Sequence, residues 1–499
     1  MRGAVAAGHP LTAEAGARVL EAGGNAVDAA VAAAFVSWVA ESPLTGPGAG
    51  GFMLVHRGAE RSTRVFDFFV AAPGLGLGRE PRREMDAVDV DFSGGSTQVF
   101  HIGGASVAVP GAALGLEQAH RVLGTMPWRD LFAPAIDLAR RGVELTRAQA
   151  YLHAILDLIL RHTPESRAVY ERNGERLAVG DVLVQDDLAG TLELLAERGA
   201  GELYHGELAE AIVRHLERHD GCVTRRDLAE YRVVRRRPVQ AEFRGHDFLS
   251  NPPPSAGGIL IAYGLRLLRN EGPPGSAAAT DALARVMREQ ASARVAAGFD
   301  GSLHRGGLAR RLEERAALVT RGTTHISVVD GEGNAVALTA STGSGSGVVV
   351  PGTGIHLNNM MGEFDLPKPP RPGARLSSGM SPSIVLHEGR PRLVVGSAGS
   401  LRLRGAVMQI VVNVVDHGLG VRDAIERPRV HLEGEQLHCE GGHDPAELDA
   451  LEAMGWNVVR WRRQNLYFGG VAAVEMLDDG SLAAAGDPRR GGAGVVVGA

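Results

Sequence analysis

Thr323-Thr324-His325-Ile326-Ser327-Val328-Val329-Asp330-Gly331-Glu332-Gly333-Asn334-Ala335-Val336-Ala337-Leu338-Thr339-Ala340-Ser341 contains two β-branched, apolar runs joined by Asp-Gly-Glu-Gly. Apolar runs flanking a Gly-containing turn predict a β-hairpin. Centred on Glu332, the hairpin sets Ser341 opposite Thr323, where cross-strand side chains lie ~5 Å apart. A threonine facing a serine is, taken alone, an ordinary hydrogen-bonded strand pair. Gly322 adds to it: without a Cβ, that residue admits backbone conformations in which the Thr323 hydroxyl can attack the Gly322 carbonyl. The resulting ester would hydrolyse to leave a chain beginning at Thr323. Its α-amine titrates near ~8, against ~10.4 for a lysine. A hydroxyl activated by its own terminal amine needs neither histidine nor aspartate. Neither a G-x-S-x-G elbow nor an H-E-x-x-H helix occurs in the chain.

The texture differs on the two sides of this stretch. Upstream, Thr12 precedes a helical segment that stops at Gly23-Gly24, and an alanine-rich helix buried on most sides is expected over 26–39. Further helices are expected over 113–123, 133–142 and 208–219, with a capping box at Thr224 to Asp227 and a long helical stretch from Ile259. Phe52-Met53-Leu54-Val55 reads as a strand, and short strands dominate after residue 322. A helix-rich part followed by a strand-rich part, each holding half of what a layered α/β sandwich requires, predicts one interleaved fold. Gly46, Gly48 and Gly51 match G-x-G-x-x-G, but a helix leads in and a strand leads out, the reverse of a dinucleotide site. A tight glycine turn is expected there.

Composition removes other classes. The 499 residues carry 52 basic and 58 acidic side chains, a net charge of -6, which gives no expectation of a nucleic-acid partner. Lys368, the single lysine, lies in Pro367-Lys368-Pro369-Pro370, where it suits neither a phosphate loop nor a pyridoxal Schiff base. Cys222 and Cys439 form no C-x-x-C pair and read as ordinary thiols. His56, His325 and His356 lack ligand spacing, so neither metal nor cofactor is expected. No membrane span or apolar leader is read from the sequence, and a cytoplasmic protein is the expectation.

The sequence also resembles the γ-glutamyltranspeptidases, nearly end to end. The likeness rests on Gly23-Gly24-Asn25-Ala26-Val27-Asp28-Ala29-Ala30, Gly50-Gly51-Phe52-Met53-Leu54, Val109-Pro110-Gly111, Asp227-Leu228-Ala229-Glu230-Tyr231, Pro252-Pro253-Pro254-Ser255-Ala256-Gly257-Gly258 and Thr323-Thr324-His325. It implies a four-layer αββα sandwich of the N-terminal-nucleophile hydrolases. It implies a precursor that cuts itself at Gly322/Thr323 into a large subunit, 1–322, and a small one, 323–499, which stay together; further oligomerisation is left open. Carried over by position, it makes Thr323 the nucleophile, supported by the Ser341 hydroxyl. Ser377 and Ser378 hold a substrate carboxylate, Asn359 and Glu363 line the substrate's amine side, and the amides of Gly399 and Ser400 form an oxyanion hole.

Several positions depart from the family pattern, among them Glu363 for an aspartate, Ser400 for a glycine and an inserted Gly379. Phe69 stands where the family's carboxylate-pairing arginine follows Asp-Phe, Met360 replaces a glutamine, and Gly343 an asparagine. A phenyl ring cannot replace a bidentate arginine, so recognition is expected to move from γ-glutamyl toward a more apolar acyl group. The small-molecule substrates implied are γ-glutamyl amides such as glutathione, with cephalosporin-type or other apolar acyl amides as the alternative. An unprocessed scaffold that binds amino-acid-like ligands without turnover is the reading from a different class.

Overall fold

The computed structural model describes residues 2–78, 84–91, 97–269, 272–296, 322–362, 370–399 and 402–498. Two large antiparallel sheets form its centre. Their strands in chain order are β1 (Gly3–Ala7), β2 (Gly50–Arg57), β3 (Ser62–Phe68), β4 (Val234–Arg236), β5 (Val239–Phe243), β6 (His246–Ser250), β7 (Gly322–Asp330), β8 (Ala335–Gly343), β9 (Ser383–His387), β10 (Arg390–Ala398), β11 (Gly470–Met476), β12 (Leu482–Gly486) and β13 (Ala493–Val497). The seven-stranded sheet runs β4-β3-β2-β8-β7-β1-β13, and the six-stranded sheet β5-β6-β9-β10-β11-β12. Each of these two sheets mixes strands from before and after residue 322, so neither large sheet is formed by one part of the chain alone. That is the interleaving the sequence predicts.

Strand alternation produces the layers, because successive side chains leave opposite faces. From the seven-stranded sheet, Val5, Met53, Ile326, Val328 and Leu338 pack outward against helices α1 (Pro10–Glu21), α2 (Ala26–Ala40) and α3 (Ala112–Leu123). Ala4, Leu54, Val329 and Ala337 point the other way and meet Ile384, Val394 and Val474 of the second sheet. The outer face of that sheet, with Phe248, Leu393, Val395 and Ala473, is covered by α4 (Gly257–Leu267), α5 (Ala277–Ala296) and α6 (Leu403–Val415). These three apolar interlayers make the αββα sandwich.

The helices follow their sequence signals with local adjustments. Helix α2 is buried along its whole length and opens on Asn25, whose side chain forms a capping box with Asp28. Thr12 does not cap α1; His9 does, accepting from Leu11 N, while Thr12 is buried inside the helix with its hydroxyl on Glu41. The Thr224 capping box is present. The stretch from Ile259 is two helices, α4 and α5, instead of one.

Candidate active site

Strands β7 and β8 pair as expected from Thr324 opposite Ala340 to Val329 opposite Ala335. At the open end the register shifts, and Gly322 pairs with Gly343. Thr323 therefore sits in a bulge and does not face Ser341 directly, which corrects the simple hairpin reading. Gly343 makes the bulge possible: its φ of 75° is a left-handed value that a side chain there would disfavour. The shift sets the Ser341 hydroxyl against the peptide ahead of Thr323. Its Oγ donates to the Gly322 carbonyl oxygen and accepts from Gly343 N at 2.8 Å. A donor on that carbonyl polarises it toward attack.

Two cavities meet at Thr323. The first, a cleft, is lined by Thr323, Ser341, Phe69, Met360, Ser377 and Ser378, together with Arg294 and Arg404. Phe69 is buried and stacked on Phe52, with ring centroids 5.4 Å apart. The Ser377 hydroxyl donates to Pro254 O at 3.0 Å, leaving only acceptor capacity for a ligand. Ser378 Oγ accepts from Met380 N at 3.1 Å and keeps its own proton available. Of the two serines, Ser378 is thus the donor toward the cleft. Arg375 approaches the Phe69 backbone but belongs elsewhere: it donates to Phe69 O and to the Tyr231 hydroxyl and pairs with Asp67 at 3.4 Å.

The second cavity is lined by Glu41, His9, Thr324, Arg490, Ala398 and a largely apolar wall, and Thr323 borders it as well. Thr324 Oγ1 donates to Glu41 Oε2 at 2.6 Å, and Arg490 Nη1 donates to Thr323 O at 3.2 Å. Burial pushes the Glu41 carboxyl up from its ordinary value, against the Thr324 and Thr12 hydroxyls that favour its charged form. Nothing in the sequence pattern singled out Glu41 or Arg490. They lie 282 and 167 positions from Thr323 in the chain, and only folding joins them.

The other expected site residues divide. Asn359 is buried, but its amide is spent on the neighbouring loop: Nδ2 donates to Ser344 Oγ at 2.6 Å, and Oδ1 accepts from Ser344 N at 3.0 Å. Its neighbour Met360 lines the cleft in its place. Gly399 has a φ of 132° and lies against Gly469, where a Cβ would come within 2.9 Å of the Gly469 Cα. Glu363, Ser400 and Lys368 lie outside the described residues. His325 is held inside the sandwich, with Nδ1 on Thr339 Oγ1 at 2.7 Å and Nε2 on Ser327 Oγ at 3.0 Å, and burial lowers its pKa to about 3. Among the described residues no group of three or more His, Cys, Asp or Glu side chains could hold a metal ion, and no helix is long and apolar enough to cross a membrane.

The sequence pattern of the family described as Gamma-glutamyltranspeptidase matches residues 12–298 and 279–497. The chain belongs to that family. Family membership makes it an enzyme, an N-terminal-nucleophile hydrolase or transferase of the γ-glutamyltransferase type. Among its relatives, an Acylase ACY 1 proenzyme of Pseudomonas sp. (strain SE83) is 34% identical over 99% of this chain and 94% of the relative. A glutathione hydrolase proenzyme of Escherichia coli (strain K12) is also 34% identical, over 98% of this chain and 90% of the relative. The fold is shared with a cephalosporin acylase from Bacillus halodurans, at TM-score 0.81 and 25% identity over 99% of this chain and 95% of that one.

Proposed function

We propose that this γ-glutamyltranspeptidase-family chain cuts itself between Gly322 and Thr323 and then cleaves amides through an ester on Thr323. The observation that carries the reading is the Ser341 hydroxyl on the Gly322 carbonyl, beside a threonine that opens onto a cleft. Thr323 Oγ attacks the Gly322 carbonyl, whose growing negative charge Ser341 stabilises; the nitrogen of Thr323 leaves as the new α-amine and water hydrolyses the ester. In turnover the same hydroxyl attacks a substrate amide, the α-amine takes its proton and passes it to the leaving nitrogen, and water or an amine accepts the acyl group. The amides of Gly399 and Ser400 are assigned to the oxyanion. The parts 1–322 and 323–499 stay associated, because each central sheet contains strands of both.

For the acyl group, Phe69, Met360 and Met380 give the cleft an apolar wall, and Ser378 supplies a hydroxyl donor. That wall supports acyl groups more apolar than γ-glutamyl, in line with relatives called acylases. Relatives called glutathione hydrolases make γ-glutamyl amides such as glutathione the other class. Asn359, which holds Ser344 beside the loop that carries Met360, and Glu363 are assigned to substrate binding.

A denaturing gel with N-terminal sequencing tests the processing step: two pieces are expected, one beginning at Thr323, and the Thr323→Ala protein should stay intact. An intact wild-type chain would favour the ligand-binding scaffold. Rates on matched γ-glutamyl, glutaryl and plain acyl amides test the acyl group; a strong γ-glutamyl preference contradicts the role given to Phe69.

A further inference from the structure

The chamber behind Thr323 holds a buried cation next to the residue that carries the proposed chemistry. Arg490 Nη1 donates to Thr323 O at 3.2 Å, while its Nε and Nη2 are shielded from solvent and have no hydrogen-bond partner among the described residues. On the adjoining side Glu41 ends helix α2 and accepts two hydroxyls, from Thr324 at 2.6 Å and Thr12 at 2.8 Å. A buried carboxyl at a helix C-terminus meets the negative end of the helix dipole, so packing alone does not account for it. The two groups hold consecutive residues, Arg490 the Thr323 carbonyl and Glu41 the Thr324 side chain.

We propose that Arg490, with the Glu41 carboxyl lining the same chamber, is a positioning residue that fixes the Thr323 backbone with its hydroxyl toward the cleft and sets the proton affinity of the α-amine exposed there on processing. The proposal rests on the self-processing reading above. Pinning the carbonyl of Thr323 restrains rotation about its Cα–C bond, which sets where the nitrogen and the Cα–Cβ bond that carries the hydroxyl point. A guanidinium this near disfavours a second positive charge, and the amine is then free base, able to accept a proton, at lower pH.

The remaining groups around Thr323 leave Arg490 as the cation that acts. Asp487 and Arg489 are occupied in a buried network, Asp487 with Arg429 at 2.5 Å and Arg489 with Glu440 at 2.5 Å. His325, brought to about 3 by burial, is neutral near pH 7, and burial lowers His9 as well. Glu41 is pushed up by burial, and Arg294 and Arg404 line the cleft and not the chamber that holds Arg490. Arg490 itself is lowered by burial to about 10 and stays charged at neutral pH.

The test uses the processed enzyme and the pH dependence of kcat and kcat/KM for Arg490→Gln and Arg490→Lys. Arg490→Gln is expected to lower kcat on the order of 10- to 100-fold with little change in KM, as for a misplaced reacting group. The acid limb of its profile should move up by on the order of one pH unit, as loss of a nearby charge requires. Arg490→Lys should return the acid limb toward the wild-type position. A folded, processed Arg490→Gln enzyme with wild-type kcat and acid limb overturns the proposal. If Arg490→Gln does not fold, Arg490→Lys decides: a limb near wild type supports the role of charge, and a limb displaced upward despite the retained cation overturns it. Failure of the self-processing reading looks different, since the wild type itself would then lack a terminus at Thr323.

Discussion

The Ser341 hydroxyl donates to the carbonyl oxygen of Gly322, the residue ahead of Thr323. The contact exists because strands β7 and β8 slip register at their open end, which turns an expected cross-strand pair into a donor placed on the bond proposed to be cut. Ser341→Ala is therefore expected to slow self-cleavage by roughly 10²–10³-fold, the usual cost of losing one oxyanion donor, while Ser341→Thr retains cleavage. The intact band followed over hours on a denaturing gel reads this directly. Equal rates for Ser341→Ala and wild type would remove Ser341 from the step.

Phe69 sits in the cleft wall, stacked on Phe52. Phe69→Ala should lower kcat/KM for a hexanoyl amide roughly tenfold or more, with a smaller loss for an acetyl amide that does not reach the ring. Steady-state rates on the two amides check it; equal losses would mean that the ring supports the fold without touching the acyl chain.

Arg429 is buried on Asp487 at 2.5 Å and also donates to Phe468 O and Gly469 O. Removing the guanidinium leaves the buried Asp487 with Arg489 as its remaining cation, at 3.1 Å, so Arg429→Ala is expected to destabilise the protein by about 3 kcal/mol, the low end for breaking a buried pair. Denaturant unfolding measures the loss, and a change below about 1 kcal/mol would show that water replaces the guanidinium at little cost.

Three histidines fix the direction of the acid response. Burial lowers His153 and His356 to about 4 and His325 to about 3, so all three are neutral in the fold and protonate more readily once unfolded, below about 6.5. Their contribution is complete above pH 6.5 and is lost as pH falls toward 4 and below. Thermal midpoints should drop by several degrees between pH 7.5 and 5, and His356→Gln should flatten that slope. An unchanged slope in the variant would show that His356 charges freely inside the fold.

Much of this protein was legible in the sequence. Periodicity located helix α2 and strands β2, β7 and β8, and the Asp330 to Gly333 turn set the hairpin register over most of its length. Such features depend on neighbours a few positions apart. The strand-rich second part and helix-rich first part announced an interleaved sandwich, because neither could cover its own apolar faces.

Tertiary structure decided the rest. The β7–β8 slip depends on Gly343 taking a left-handed φ where the Leu44 carbonyl receives Thr342 N at 3.0 Å, a contact no local pattern encodes. The turn of Asn359 toward Ser344, the commitment of the Ser377 proton to Pro254, and the meeting of Glu41 and Arg490 around Thr323 are equally long-range. Local sequence fixes which backbone a segment prefers; the partner of each polar group is settled only when distant segments are packed together and every buried donor must find an acceptor.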